Sequence, residues 1–177
     1  MKPKEFIDIV LIRDIKKVID ADCAYLAFGL IAQGIETLGA ILDEKKIHDN
    51  DKGLSEKRFR SAIRTLFNWQ GSLYPKYAAE NSEYDLFEYL RCGMSHVLRP
   101  AGKVAFTTKK ESKIDGTKHL EVAKETGKLI LVIEEFYEDF HRACKKCKNC
   151  IREKTHSKLK EDYLTITKFT SDSDIAV

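Results

Sequence analysis

Arg91 and His96 are the two side chains in this sequence whose types and spacing best suit a reaction. A guanidinium offers a flat fork of donors that fits a phosphate, and an imidazole exchanges protons near neutral pH. Together they suit phosphodiester cleavage without a metal. His96 could accept a proton from a ribose 2′-hydroxyl or return one to the leaving 5′-oxygen, while Arg91 neutralises the charge that develops on the phosphate. Attack by the 2′-hydroxyl would confine such chemistry to RNA and leave a cyclic phosphate end. With eight arginines and five histidines in 177 residues, the spacing alone carries little weight. The segment that holds the pair must carry the rest.

That segment runs from Tyr84 to Pro100, where Pro100 and Gly102 end it, and Ser82 with Asp85 resembles a capping box that opens it. At about 100° per residue, Leu86, Phe87, Leu90, Gly93, Met94, Val97 and Leu98 form one apolar arc. Arg91 falls at one edge of that arc and His96 at the other, so a single copy aims them apart. Two copies meeting across a two-fold axis would bring both residue types to one place. Upstream, a long amphipathic helix is expected over residues 22–47, with Tyr25, Phe28, Ile31, Ala32, Ile35, Leu38, Gly39 and Leu42 on one stripe. Gly34 and Gly39 inside it cost helix propensity, which a close helix crossing would compensate. Glu36, at the edge of that stripe, is the candidate salt-bridge partner that orients Arg91; its alternative is an ordinary surface glutamate.

The stretch Leu90-Arg-Cys-Gly-Met-Ser-His-Val97 resembles the HEPN superfamily, whose mark is Arg-x(4–6)-His on a late helix of a helical bundle. Leu30-Ile-Ala-Gln-Gly-Ile-Glu-Thr-Leu-Gly39 is similar to the long preceding helix of some bacterial members. The resemblance implies a dimeric, metal-independent endoribonuclease of the toxin–antitoxin or phage-defence kind, with Arg91 and His96 as its catalytic pair and no cofactor. Many active members place a polar residue directly after the arginine, whereas Cys92 stands there in this chain. Two other readings therefore stay open: a catalytically inactive dimerisation or protein-interaction module that binds an antitoxin or other partner protein, and a nucleotide-binding sensor domain.

Other clusters compete with this pair. His141, Cys144, Cys147 and Cys150 are spaced like zinc ligands. Every third position of a straight helix drifts around the axis, however, so the four cannot surround one ion, and the cysteines read as small hydrophobes. No metal site is expected. Trp69, Tyr74 and Tyr77 could stack on unpaired bases, or cap the core or a dimer contact, and capping is the reading adopted. His119 falls on an expected strand without an evident partner. Residues 142–160 carry eight Lys or Arg against one acid, Glu153, a stretch that could lie along phosphates but reads first as a solvated helix face.

The elements behind these residues point to a mainly α fold: a HEPN-like bundle of about five helices with a small antiparallel β insertion at about residues 103–132. Further helices are expected over residues 4–19, from Ser55 as N-cap, and from about Ile133 with Ile133, Phe136, Tyr137 and Phe140 on one face. Strands are expected at Val104–Thr108, His119–Val122 and Leu129–Val132. Residues 1–160 read as one domain and 161–177 as a loosely ordered polar tail. The composition, 43% hydrophobic and 33% charged with a net charge of +3, excludes a disordered chain and identifies no partner. Charges break the longest apolar stretches, and the opening MKPKEFIDIV does not read as a secretory signal, so the expectation is a reducing cytoplasm with no membrane span.

Overall fold

Helix α3 (Ala24–Leu42) is the axis of the fold in the computed structural model, which describes residues 3–47 and 49–151. Ala27, Phe28, Ile31, Ala32, Ile35, Leu38 and Ile41 recur on it every three or four residues and are each 2% exposed or less. That stripe is too wide for one neighbour, so helices pack on two sides of it. On one side α4 (Leu54–Leu66) crosses at Gly39, where a Cβ would lie 2.1 Å from the carbonyl oxygen of Arg58. On another, α8 (Ile133–Cys150) lays Phe140 over Gly34, where a Cβ would lie 2.6 Å from the ring. Both glycines therefore serve the close crossings expected of them. The same α3 helix is long and apolar enough, by length and composition, to cross a membrane, and 56% of that span is buried within the fold. This corrects the expectation that nothing approaches a span; its apolar character serves the core that surrounds it.

The N-terminal helix runs α1 (Pro3–Phe6), a π-helical segment Ile7–Asp14 and α2 (Ile15–Asp20) without a break. Phe6, Ile7, Leu11 and Ile15 face inward, and the Tyr137 hydroxyl donates to the Ile12 carbonyl at 3.1 Å. Past α3 the chain turns earlier than its hydropathy suggests, because Arg58 gathers the turn. Its guanidinium donates to Asp43 at 2.7 Å and to the carbonyls of Lys46 and Ile47 at 2.6 and 2.9 Å. Gly53, in the left-handed region at φ 77°, precedes α4, so Ser55 lies inside the helix rather than capping it. A short α5 (Tyr74–Tyr77) occupies what reads in sequence as a loop.

The insertion departs from expectation. β1 (Val104–Thr107) and β2 (Leu129–Val132) pair in parallel, with Val104 opposite Leu129, and not as an antiparallel hairpin. The reason is the helix between them, α7 (Lys109–Asp115), which supplies the crossover that parallel strands need. Its capping box, Thr108 with Glu111, is present in the sequence. Antiparallel pairing survives as one bridge between Val122 and Leu129 and the bond from Leu120 N–H to the Ile130 carbonyl at 2.8 Å. All four β2 residues are buried, as in a strand covered on both faces. Phe106 ties the insertion to the bundle by stacking on Phe28 with ring centroids 3.9 Å apart. One core cluster joins the N-terminal helix, α3, α4, the insertion and α8. The expected domain limit at residue 160 and the 161–177 tail lie outside the described residues.

Gly39→Ala should be strongly destabilising, because the new methyl meets backbone, which cannot rotate away. A loss of about 3 kcal/mol is expected, at the upper end of overpacking costs. Gly29→Ala meets only the Met94 side chain, its terminal methyl at 3.3 Å and its Cβ in ordinary contact at 3.5 Å. Its denaturation midpoint should stay level or rise through helix propensity. Urea unfolding of the two variants checks both, and equal midpoints would contradict the tight crossing.

Candidate functional site

The segment bearing Arg91 and His96 opens at Leu86, continues as a π-helical turn, Phe87–Cys92, and ends as α6 (Gly93–Val97). Asp85 is its cap, accepting from the Phe87 N–H at 2.9 Å; the Ser82 hydroxyl accepts only from Tyr84 N–H, at 3.4 Å, so the capping box is not formed. Asp85 is itself clamped by Arg60 of α4, whose terminal nitrogens donate to its two oxygens at 3.1 and 2.6 Å. Arg60 also donates to Glu56 at 2.8 Å and to the Ala78 carbonyl at 2.9 Å. Burial by itself would lower its pKa, and the bonds to Asp85 and Glu56 outweigh that and raise it. This buried cluster was not read from the sequence. The signal was Arg60 within one turn of Phe59, Ala62 and Ile63, at positions where a charge has to be paired.

The segment then runs antiparallel to α3 along one seam. Arg91 Nε donates to Glu36 at 2.6 Å, Gln33 bonds to Ser95, Met94 fits over Gly29, and the Tyr25 hydroxyl donates to the Leu98 carbonyl at 2.8 Å. Glu36 is thus the Arg91 partner that the sequence suggests. Both side chains are mostly covered, at 16% and 19% exposure, so the pair is better shielded than a surface ion pair. The Phe87 ring lies between two guanidinium groups, 5.9 Å from that of Arg91 and 5.5 Å from that of Arg60. Burial pushes the Cys92 thiol up despite the neighbouring Arg91, which keeps it protonated.

His96 lies on the last turn of α6 and is exposed, as are Val97 at 60% and Leu98 at 64%. The apolar arc drawn at regular α spacing is therefore wrong at its far end. The π turn widens the helix and shifts the phase of the residues beyond it, so Leu86, Leu90 and Met94 enter the core while Val97 and Leu98 do not. Tyr25, Leu26 and Leu30 of α3 are exposed as well, at 46%, 51% and 42%, and the Tyr25 hydroxyl ties this apolar strip of α3 to Leu98, two residues from His96. Arg91 and His96 share one helix, and the structure records no contact between them.

Other expected features resolve into packing. Cys144 and Cys147 are buried in the core, where burial pushes the Cys147 thiol up to about 12 and Cys144 higher still. His141 stacks on Tyr137, and among the described residues no group of His, Cys, Asp or Glu is arranged to hold a metal ion. Tyr74 and Tyr77 are buried, and Trp69 is covered by Arg142 at 4.8 Å from its ring. Lys146 donates to the Thr65 carbonyl at 2.6 Å, and Lys148 pairs with Asp8 at 2.6 Å. Arg142, Lys146 and Lys148 of the basic stretch are therefore engaged with the bundle while Lys145 is exposed, and Arg152 to Lys160 lie outside the described residues. An open groove of about 740 Å³ beside Arg60 is lined by Glu56, Glu80, Glu83, Asp85 and Glu88 against only Arg60 and Lys103, a lining that disfavours phosphate.

His119 has partners after all. It sits in a turn, where the Val132 N–H donates to Nδ1 at 3.0 Å, so the ring proton is on Nε2 and points to the Tyr74 hydroxyl 2.8 Å away. Tyr74 in turn donates to Asp139 at 3.1 Å. This chain of bonds latches the insertion onto α5 and α8. No protein-family model, curated protein or solved structure matches the sequence.

Burial holds His119 neutral by pushing its pKa down to about 4 from an ordinary 6.5. Its contribution to stability is complete above pH 6.5 and is lost as the pH falls through about 4, up to about 3 kcal/mol in all. Asp139, raised by burial, acts in the opposite sense within the carboxylate range. The stability gap between the wild type and His119→Gln should therefore narrow as the pH falls from 7 to 4. A gap that stays constant in denaturant titrations across that range would contradict the neutral, buried ring.

Proposed function

We propose that this chain is a HEPN-like, metal-independent endoribonuclease that works as a dimer, with His96 as the acid–base residue and Arg91 as the residue that faces the phosphate. The observation that carries the reading is the Arg91–Glu36 pair, which holds the guanidinium in one orientation on the helix whose end leaves His96 open to solvent. The chemistry balances without a cofactor. The ribose 2′-oxygen attacks phosphorus and gives its proton to an imidazole, the bond to the 5′-oxygen breaks, and that oxygen takes a proton from an imidazole as it leaves. A second copy supplies the second imidazole, so one His96 accepts while the other donates.

The strip beside His96 supports pairing of two copies. Cys23, the residue that precedes α3, and Leu26, Leu30, Gln33 and Thr37 on it succeed one another at steps of three, four, three and four, the seam spacing of paired helices. The first four are exposed and uncharged, on a chain that is one-third charged. An exposed apolar strip of this kind is characteristic of an interface. The same strip, with Cys92 after Arg91, favours a second reading: an interaction module that binds a partner protein and cuts nothing.

Purified protein should cleave single-stranded RNA in the presence of chelator and leave cyclic phosphate ends. His96→Ala should abolish cleavage without changing the melting temperature, since the side chain is exposed. Arg91→Ala should abolish cleavage and also lower the melting temperature, because it leaves Glu36 half-buried and unpaired. Intact RNA under all conditions would leave only the interaction reading. Leu30→Glu should convert a dimer to a monomer in light scattering and lower cleavage with it; a wild type that is monomeric at every concentration would sink the paired site.

A further inference from the structure

We propose that Arg99 is a second phosphate-binding residue of the His96 site, put there by the turn that ends the helix. The proposal rests on the RNA-cleaving reading above. It begins from an electrostatic shortfall. His96 occupies the last turn of α6, where unpaired carbonyls carry partial negative charge and disfavour an anion. The charge of Arg91 is already offset by Glu36 at 2.6 Å. A phosphate brought to His96 therefore needs another cation close by.

The chain supplies one three residues later. Leu98 adopts the left-handed region at φ 52°, which is uncommon for a residue with a branched side chain. Four contacts hold that conformation. The Tyr25 hydroxyl donates to the Leu98 carbonyl at 2.8 Å, and the Leu98 N–H closes on the Gly93 carbonyl. Arg99 N–H also approaches that carbonyl at 3.4 Å, and Ala101 N–H donates to the Tyr89 carbonyl at 2.8 Å. Pro100 stiffens the turn between them. The turn lies so close to the helix that a Cβ on Gly93 would sit 2.6 Å from the Arg99 carbonyl oxygen and 2.9 Å from the Ala101 nitrogen. His96 is three residues beyond Gly93, on the neighbouring part of the same helix face.

Arg99 is exposed and forms no ion pair with any described residue. The next cation, Lys103, is committed to Glu83 at 2.5 Å. Arg99 is thus a fork of donors with no carboxylate partner among the described residues, at the same helix end as His96, on a turn whose backbone is pinned from both sides. A phosphodiester of single-stranded RNA held there meets the imidazole and a full positive charge together. The added charge on the five-coordinate phosphate is then shared between Arg99 and Arg91, the latter held in one orientation by Glu36.

Cleavage of single-stranded RNA in chelator, and binding of 2′-O-methyl single-stranded RNA, which cannot be cut, measured across salt concentrations, test the assignment. Arg99→Ala should lower kcat/KM by about a hundredfold, the size of one lost charge-stabilising donor. It should also reduce the slope of log affinity against log salt by about 0.7, one phosphate contact on a single strand. Arg99→Lys should recover the slope but not the rate, since a point charge replaces the fork. The melting temperature should be unchanged, because the turn is held through backbone atoms. If Arg99→Ala cleaves and binds like the wild type while His96→Ala is inactive, the Arg99 assignment is overturned and the ribonuclease reading stands. If the wild type neither cuts nor binds RNA, both fall together.

Discussion

The buried pair between Arg60 and Asp85 fixes where the helix carrying Arg91 and His96 begins. Asp85 has two tasks: its oxygens accept from Arg60, and one of them also accepts the Phe87 N–H that opens the helix. A carboxylate this deeply covered would cost several kcal/mol if it lost its partner. Arg60 in turn is satisfied by Glu56 and the Ala78 carbonyl. The start of the helix is therefore tied to α4, and α4 is tied to α3 by the backbone contact at Gly39. Any shift of α4 against α3 would be transmitted to the base of the site.

The rest of the site depends on one seam between α3 and that helix. Its contacts change in character along its length, from the ion pair of Arg91 and Glu36, through Ser95 and Gln33, to Tyr25 holding the final turn. The shielded end fixes an arginine, while the open end leaves a histidine, two aliphatic side chains and Arg99 in solvent. A neutralised interior and an uncovered rim suit a surface completed by something that docks on it. The groove beside Arg60 is lined mainly by carboxylates and so has the opposite electrostatic character.

Groups that look reactive in the sequence are mostly structural here, for one physical reason. Burial keeps the thiols protonated, and a protonated thiol is a poor nucleophile and metal ligand, while it leaves both ring nitrogens of His119 committed to hydrogen bonds inside the fold. Cys144 and Cys147 stay protonated in the core, and His119 is held neutral between the Val132 N–H and Tyr74. Arg142, Lys146 and Lys148 of α8 have also found partners in the bundle. His96 and Arg99 differ from the core cysteines and His119 in being exposed, and Arg99 forms no ion pair with any described residue.

Features that depend on neighbours within a turn or two were legible in the sequence. The period of α3 and of α8, the start of α8 at Ile133 and the small residues for close crossings at Gly34 and Gly39 come from helical spacing and side-chain size. Even α7 was signalled locally, by Thr108 and Glu111, although the strand-like runs around it obscured the capping box. Tertiary structure alone decided which surfaces meet. It made the two strands parallel, because a helix had to cross between them. It turned Val97 and Leu98 outward through a π turn that no regular spacing encodes, and it gave His119 and Arg60 partners 45 and 25 residues away. Periodicity is a property of the chain itself, whereas the burial and pairing of a charge depend on distant segments that only the folded core brings together.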